Sequence, residues 1–189
     1  MIGVLVSGTG SNLQALLDAG LPVAAVASSR PGVRALDRAR HLPTQVFELV
    51  DYASRAERDQ AMATWLEEHG VELVVCAGYM QLLSPGFLAR FPKILNVHPS
   101  LLPQFPGARA VEQALAAGVD ETGVTVHYVD EGVDTGPVIR QEPVPVEPPE
   151  TLLERLHAVE HRILPEVVRE LLAASESPLA AHGRREQYG

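Results

Sequence analysis

Cysteine is nearly missing. Cys76 stands alone among 189 residues, so no internal disulfide can staple the fold, and inside "VELVVCAGYM" it reads as a small buried hydrophobe of a protein kept reduced. Cations are short as well: 15 Lys and Arg face 24 Asp and Glu, for a formal net charge of −9. Phosphate backbones are gripped by clustered Lys and Arg, so no nucleic-acid partner is expected. No apolar run nears the roughly 20 residues that cross a bilayer. The opening "MIGVLVSGTG" lacks the basic start and long apolar stretch of a signal peptide. The expected setting is the cytoplasm, with no membrane partner. Repeats and low-complexity tracts are also missing.

What is present suits one core. Hydrophobic residues make up 46% and charged residues 21%, the balance of a soluble globular chain, and the length predicts a single domain over 1–189. Short apolar runs alternate with longer amphipathic segments, which predicts an α/β fold: a Rossmann-like, doubly wound, mostly parallel sheet with helices on both faces. Ile2 to Val6, Pro22 to Ala27, Leu73 to Cys76 and Ile94 to Val97 are continuously apolar and belong at the centre of such a sheet. Thr125 to Tyr128 and Val138 to Val144 alternate more and predict a later, partly antiparallel part. Helices are expected over Ser11 to Asp18, with Ser11 as the cap, and over Ala56 to His69, from Ser54 to the stop at Gly70. Shorter ones are expected over Pro85 to Arg90 and Val111 to Ala117. A long final helix begins near Thr151, places Leu153, Leu156, Ile163 and Val167 on one face and carries a candidate kink at Pro165. "EPVPVEPPE" reads as a stiff connector within the domain.

"VLVSGTGSNL" runs from a buried strand through a glycine turn into a helix, whose first amides and dipole favour an anion. Gly8 and Gly10 either make only a tight turn or open the backbone to a ligand. Leu13 stands where a dinucleotide fingerprint would have its third glycine, and "SSR" ends the second strand without an acidic residue for a ribose. The loop therefore suits a single phosphate better than NAD, with Ser11 and Asn12 adding side-chain donors. An NADP-binding reductase is the alternative, with Arg30 near a 2'-phosphate.

In "LNVHPSLLPQFPG" the strand period of two sends Asn96 and His98 to one side. Both lie at the carboxyl end of a central strand, where open parallel sheets bind ligands and where the glycine loop also emerges. Pro99 and Pro103 fix the path that leaves the strand. Asp134, in "HYVDEGVDTGPVIRQE", precedes the turn Thr135-Gly136-Pro137, which anchors its carboxylate where it could face a His.

"SGTGSNLQAL", "AGYMQLLSP", "LNVHPSLLPQFPG", "GVTVHYVDEGVDTGPVI" and "EHRILP" occur in the order and spacing of the phosphoribosylglycinamide formyltransferases (GAR transformylases) of the 10-formyltetrahydrofolate-dependent formyltransferase family, which the chain resembles over nearly its whole length. The resemblance implies transfer of a formyl group from 10-formyltetrahydrofolate, used as co-substrate, to the amine of glycinamide ribonucleotide, by direct attack through a tetrahedral intermediate in purine synthesis. It implies Asn96 and His98 as donors to the formyl oxygen, and Asp134 as organiser of proton transfer, through water, and partner of His98. Gly10, Ser11 and Asn12 resemble the phosphate cradle, and Glu160 a substrate-contacting glutamate. Met80, Gln81, Leu82, Leu83, Val129 and Val133 correspond to walls of the folate pocket. Met80 and the leucines would otherwise be plain core. No metal is implied, and the partners are two small molecules bound by a monomer or a homodimer.

The family usually has Arg where Gln81 stands, and some members have His at Arg109 or Val111. A zinc reading of "HAVEH", His157 to His161, competes on ligand spacing but lacks a third ligand. A formyltetrahydrofolate hydrolase or another formyltransferase is the sibling reading; the known siblings carry a further domain.

Overall fold

The computed structural model describes residues 1–176, and the end of the expected domain, 177–189, lies outside the described residues. Seven strands form one sheet in the order β3-β2-β1-β4-β5-β6-β7. They are β1 (Ile2–Val6), β2 (Val23–Ser28), β3 (Thr44–Val46), β4 (Leu73–Cys76), β5 (Ile94–His98), β6 (Glu121–Tyr128) and β7 (Val138–Pro145). The first five pair in parallel; β6 runs antiparallel between β5 and β7, with Asn96 opposite His127 and His98 opposite Thr125. This is the expected α/β Rossmann-like sheet. Continuous apolar runs became the buried strands β1 and β4, as parallel strands covered on both faces must be.

Helices α1 (Ser11–Asp18), α2 (Arg34–Arg38), α3 (Arg55–Glu68), α4 (Pro85–Arg90), α5 (Ala110–Ala117) and α6 (Leu152–Glu176) complete the chain. One core layer joins Leu13 and Leu16 of α1 to Leu152, Leu156, Ile163 and Val167 of α6 across Val4 and Val97. The other joins Met62 and Leu66 of α3 and Phe87 of α4 to Leu5, Val74 and Ile94. The start of α3 is reciprocal: the Ser54 hydroxyl accepts from the Glu57 amide (3.1 Å), and the Glu57 carboxylate accepts from the Ala53 amide (3.1 Å).

Two expectations need correction. Gly10, not Ser11, is the N-cap of α1, because the chain turns into the helix through a left-handed residue (φ 73°) and no side chain caps it. Leu153 is 53% exposed while Leu152 is fully buried, because Leu152, four residues before Leu156, is the one that shares the stripe with Ile163 and Val167. β3 and α2 had no sequence expectation; at three and five residues they are too short for a period to register. Helix α6 continues through Pro165.

Candidate active site

β5 ends at His98 because Pro99 cannot donate to a ladder. The segment beyond is held by bonds, not by prolines alone. Thr125 Oγ1 donates to the Ser100 carbonyl (2.7 Å) and accepts from the Leu102 amide (3.2 Å), while Gln141 Nε2 donates to the Leu102 carbonyl (2.8 Å). The 130–135 loop is closed by Asp130, whose Oδ1 accepts from the Gly132 amide (3.0 Å) and the Thr135 hydroxyl (2.7 Å). Gly136 has to be glycine: a Cβ there would stand 1.8 Å from the Tyr128 carbonyl oxygen.

These two segments bring Asn96, His98 and Asp134 together. Asp134 sits in the left-handed region (φ 53°), unusual for a residue with a side chain. Its Oδ2 accepts from the Gly107 amide (2.7 Å) and lies 3.3 Å from His98 Nδ1; its Oδ1 accepts from Asn96 Nδ2 (3.2 Å) and lies 3.5 Å from His127 Nε2. Burial pushes the carboxyl up. The His127 contact, the Gly107 amide and the charges of His98 and His127 outweigh it, so Asp134 sits below the usual carboxylate range.

The ring nitrogens can be assigned from their partners. His98 Nε2 donates to the Phe105 carbonyl (2.8 Å), so a neutral ring would turn a lone pair towards Asp134, and only a doubly protonated ring donates to both acceptors. His127 Nδ1 donates to the Tyr128 carbonyl (2.8 Å), so Nε2 faces both Asn96 Nδ2 (3.2 Å) and Asp134 Oδ1 (3.5 Å): unprotonated it accepts from the amide, protonated it donates to the carboxylate. With His127 neutral, both amide hydrogens of Asn96 are spent, on His127 and on Asp134.

His127 was not anticipated. It alternates with valines in "GVTVHY", which marks a strand position, but only the antiparallel register of β5 and β6 sets it beside Asn96.

The cluster forms one wall of a cavity of about 420 Å³ that also takes in Met80, Gln81, Leu82, Leu83, Val129 and Val133. Leu83 is buried, but Met80 is 70% exposed and Leu82 and Val133 about half. Plain core is therefore the wrong account of Met80 and Leu82: they are apolar side chains left open at a cavity rim. Arg109 also lines the cavity, in a left-handed conformation at the start of α5.

Gly10, Ser11, Asn12 and Glu160 form a separate group at the carboxyl end of β1, two strands away from β5 in the sheet. Gly10 is fixed by shape, since a Cβ would lie 2.7 Å from the Ala35 Cα and Cβ of α2. Asn12 Nδ2 donates to Glu160 Oε2 (3.1 Å), so that amide faces α6. Burial pushes Glu160 up to about 7, with the Asn12 bond pulling the other way. Arg38 of α2 was not anticipated; it braces the loop by donating to the Thr9 carbonyl (2.9 Å) and to Gln14 Oε1 (3.0 Å). With Ser11, His161 and Arg162 it lines a groove of about 590 Å³ between α1 and α6. The two groups are tied at the base through Ser7, whose hydroxyl accepts from the Met80 amide (2.9 Å) and lies 2.6 Å from the Ser29 hydroxyl.

His157 and His161 stack at 5.9 Å. Among the described residues, no group of three His, Cys, Asp or Glu could hold a metal ion, and no helix is long and apolar enough to cross a membrane.

A family model described as formyl transferase matches residues 1–168. The chain is 42% identical over 183 residues to a phosphoribosylglycinamide formyltransferase of Bacillus subtilis (strain 168), covering 89% of this chain and 93% of that one. It is 43% identical over 182 residues to the trifunctional purine biosynthetic protein adenosine-3 of Chironomus tentans, but spans only 13% of that protein's length. Among solved structures, glycinamide ribonucleotide transformylase 1 from Geobacillus kaustophilus superposes with a TM-score of 0.87 at 46% identity, over 90% of this chain and 97% of that one.

Proposed function

The chain belongs to the formyl transferase family, and on that premise we propose that it transfers the formyl group of 10-formyltetrahydrofolate to the amine of glycinamide ribonucleotide, a step of purine synthesis carried out in the cytoplasm. The observation that carries the chemistry is the meeting of Asn96, His98 and Asp134 on the wall of a mainly apolar cavity. The exposed Met80, Leu82 and Val133 suit the flat ring system of a folate, which would cover them. The folate supplies the formyl carbon and the nitrogen that departs.

When an amine attacks a formamide carbon, the carbonyl oxygen gains negative charge and calls for donors. Asn96 Nδ2 and the His98 ring are the donors at hand. Each is spent on a neighbour in the state described, so binding exchanges a bond to His127, Asp134 or the Phe105 carbonyl for one to the formyl oxygen. The attacking nitrogen must then lose a proton and the departing nitrogen must gain one. Asp134, held as a carboxylate, takes the first through water and returns it to the second, and its charge steadies a protonated His98. No bond forms between protein and substrate, and no metal is required.

The substrate phosphate falls to the uncapped start of α1 at Gly10, Ser11 and Asn12, beside the Arg38 guanidinium of α2, which is bonded to the Thr9 carbonyl of that loop. Glu160, bonded to Asn12, borders that end of the substrate.

The test is product balance. The purified protein, given both substrates in a chelating buffer, is expected to release one tetrahydrofolate for each amine formylated, and none without the ribonucleotide. Tetrahydrofolate released at the full rate without the amine would make the protein a hydrolase, and no release under either condition would overturn formyl transfer.

A further inference from the structure

Between Ala77 and Ser84 the chain has no helix or strand, yet this stretch supplies one wall of the cavity beside Asp134. Beneath it, α3 carries an ion pair without exposure: Arg58 and Asp59 are each 0% accessible. A buried pair is tolerated only when the donors and acceptors left over are used. Arg58 Nε and Nη2 donate to Asp59 Oδ1 (2.8 and 2.5 Å), and what remains points one way. Arg58 Nη1 donates to Gln81 Oε1 and Nη2 to the Leu82 carbonyl, both at 3.4 Å, and Asp59 Oδ2 accepts from the Ser84 amide (2.6 Å). Ser84 is also the N-cap of α4, its hydroxyl accepting from the Phe87 amide.

The two members of the pair do different work. Asp59 secures the start of α4 through the Ser84 amide. Arg58 reaches past that helix to Gln81 and Leu82, which belong to the cavity and to no regular element. Among the described residues, the only other polar tie of residues 79–82 is the Met80 amide on Ser7.

We propose that Arg58 is a positioning residue for the folate co-substrate. From inside the protein its guanidinium fixes the height and tilt of the Gln81–Leu83 wall, so that the exposed Leu82 side chain is presented to the ring system before it arrives. The assignment rests on the folate reading of the cavity. Gln81 receives the guanidinium from below, on its side-chain oxygen.

Steady-state kinetics of Arg58→Lys, Arg58→Gln and the relocated pair Arg58→Gln/Gln81→Arg test it. Lys keeps the charge beside Asp59 but cannot reach Gln81 Oε1 and the Leu82 carbonyl together. Its KM for folate should rise about tenfold, as expected for lost bonds to a charged group, with kcat and the KM for the ribonucleotide nearly unchanged. The relocated pair should recover much of what Arg58→Gln loses. A wild-type folate KM in Arg58→Lys, with or without a lower Tm, would reduce Arg58 to a brace of the fold and overturn the proposal. If neither Arg58 variant folds, amide exchange of the wild-type protein decides. Gln81–Leu83 should be protected without folate, and protection that appears only on adding folate would contradict pre-positioning. Absence of turnover in the wild-type protein would sink the folate reading, while leaving the protection of Gln81–Leu83 to be read by itself.

Discussion

Asp134 and Glu160 are both carboxyl groups sunk in the protein, at the two ends of the proposed substrate path, and they are held in opposite ways. Asp134 receives the Gly107 amide and Asn96 Nδ2 and lies within 3.5 Å of two imidazoles. Glu160 has one donor among the described residues, Asn12 Nδ2, and is 6% exposed. Desolvation pushes both up; in Asp134 the partners win and in Glu160 burial wins. Depth and donors act together: Asp134 is only half-buried and meets donors from a strand, a loop and a backbone amide, whereas Glu160 lies deeper and meets Asn12 alone among the described residues.

The largest expected effect is on turnover at the Asp134 end. Asp134→Asn keeps the size of the side chain but removes the base and the negative partner of His98, so kcat measured with both substrates saturating should fall about a hundredfold to ten-thousandfold, with little change in ligand binding. If the two act as a unit, adding His98→Ala should cost less than the sum of the single losses. A near-wild-type kcat would make Asp134 a structural residue and erase the contrast with Glu160.

The next effect is on stability, with opposite signs at the two ends. The native protein holds the Glu160 proton up to about 7 against a reference of 4.5, so it binds more protons than the unfolded chain in that window. Stability must then fall as pH rises through it, by about 3 kcal/mol in all. Glu160→Gln removes that fall, so urea unfolding should find it more stable than wild type at pH 8 and close to it near pH 4.5. Asp134 works the other way. Its lowered pKa adds stability above the reference value of 3.8, lost as pH falls through the native value, so Asp134→Asn should cost stability at neutral pH and little in strong acid. Parallel pH dependence in both variants would break the comparison.

The smallest effect separates two glycines of one loop. Gly10→Ala must adopt a φ of 73° and displace Ala35, which should cost about 1–3 kcal/mol. Gly8 has nothing within 4 Å of a Cβ and no left-handed φ, so Gly8→Ala should stay within about 0.5 kcal/mol in the same denaturant titration. Equal losses would mean that the loop is not shaped by its packing on α2.

The sheet was readable because continuous apolar runs and helix boundaries are local signals: Ile2–Val6 and Leu73–Cys76 ended where expected, and α3 began after Ser54. Asn96 and His98 were readable for the same reason, since a period of two fixes their shared side. His127, Arg38 and Arg58 were not, because each reaches its place through strand register or helix packing that no short window encodes. The use of the Asn12 side chain was also hidden. It looked like a phosphate donor at a helix start, whereas the fold turns it to Glu160, 148 residues away. That distant bond works against the proton; burial is what lets the carboxyl keep it.

The claim under all of this is that Asp134 is a carboxylate at neutral pH while Glu160 is close to half protonated. Carbon-13 NMR of labelled Asp and Glu side chains, followed from pH 2 to 9 and assigned with Asp134→Asn and Glu160→Gln, reads it directly. The predicted result is an Asp134 signal that titrates below the usual carboxylate range and a Glu160 signal that titrates near 7. Two ordinary titrations near 4, or the two values exchanged, would contradict it.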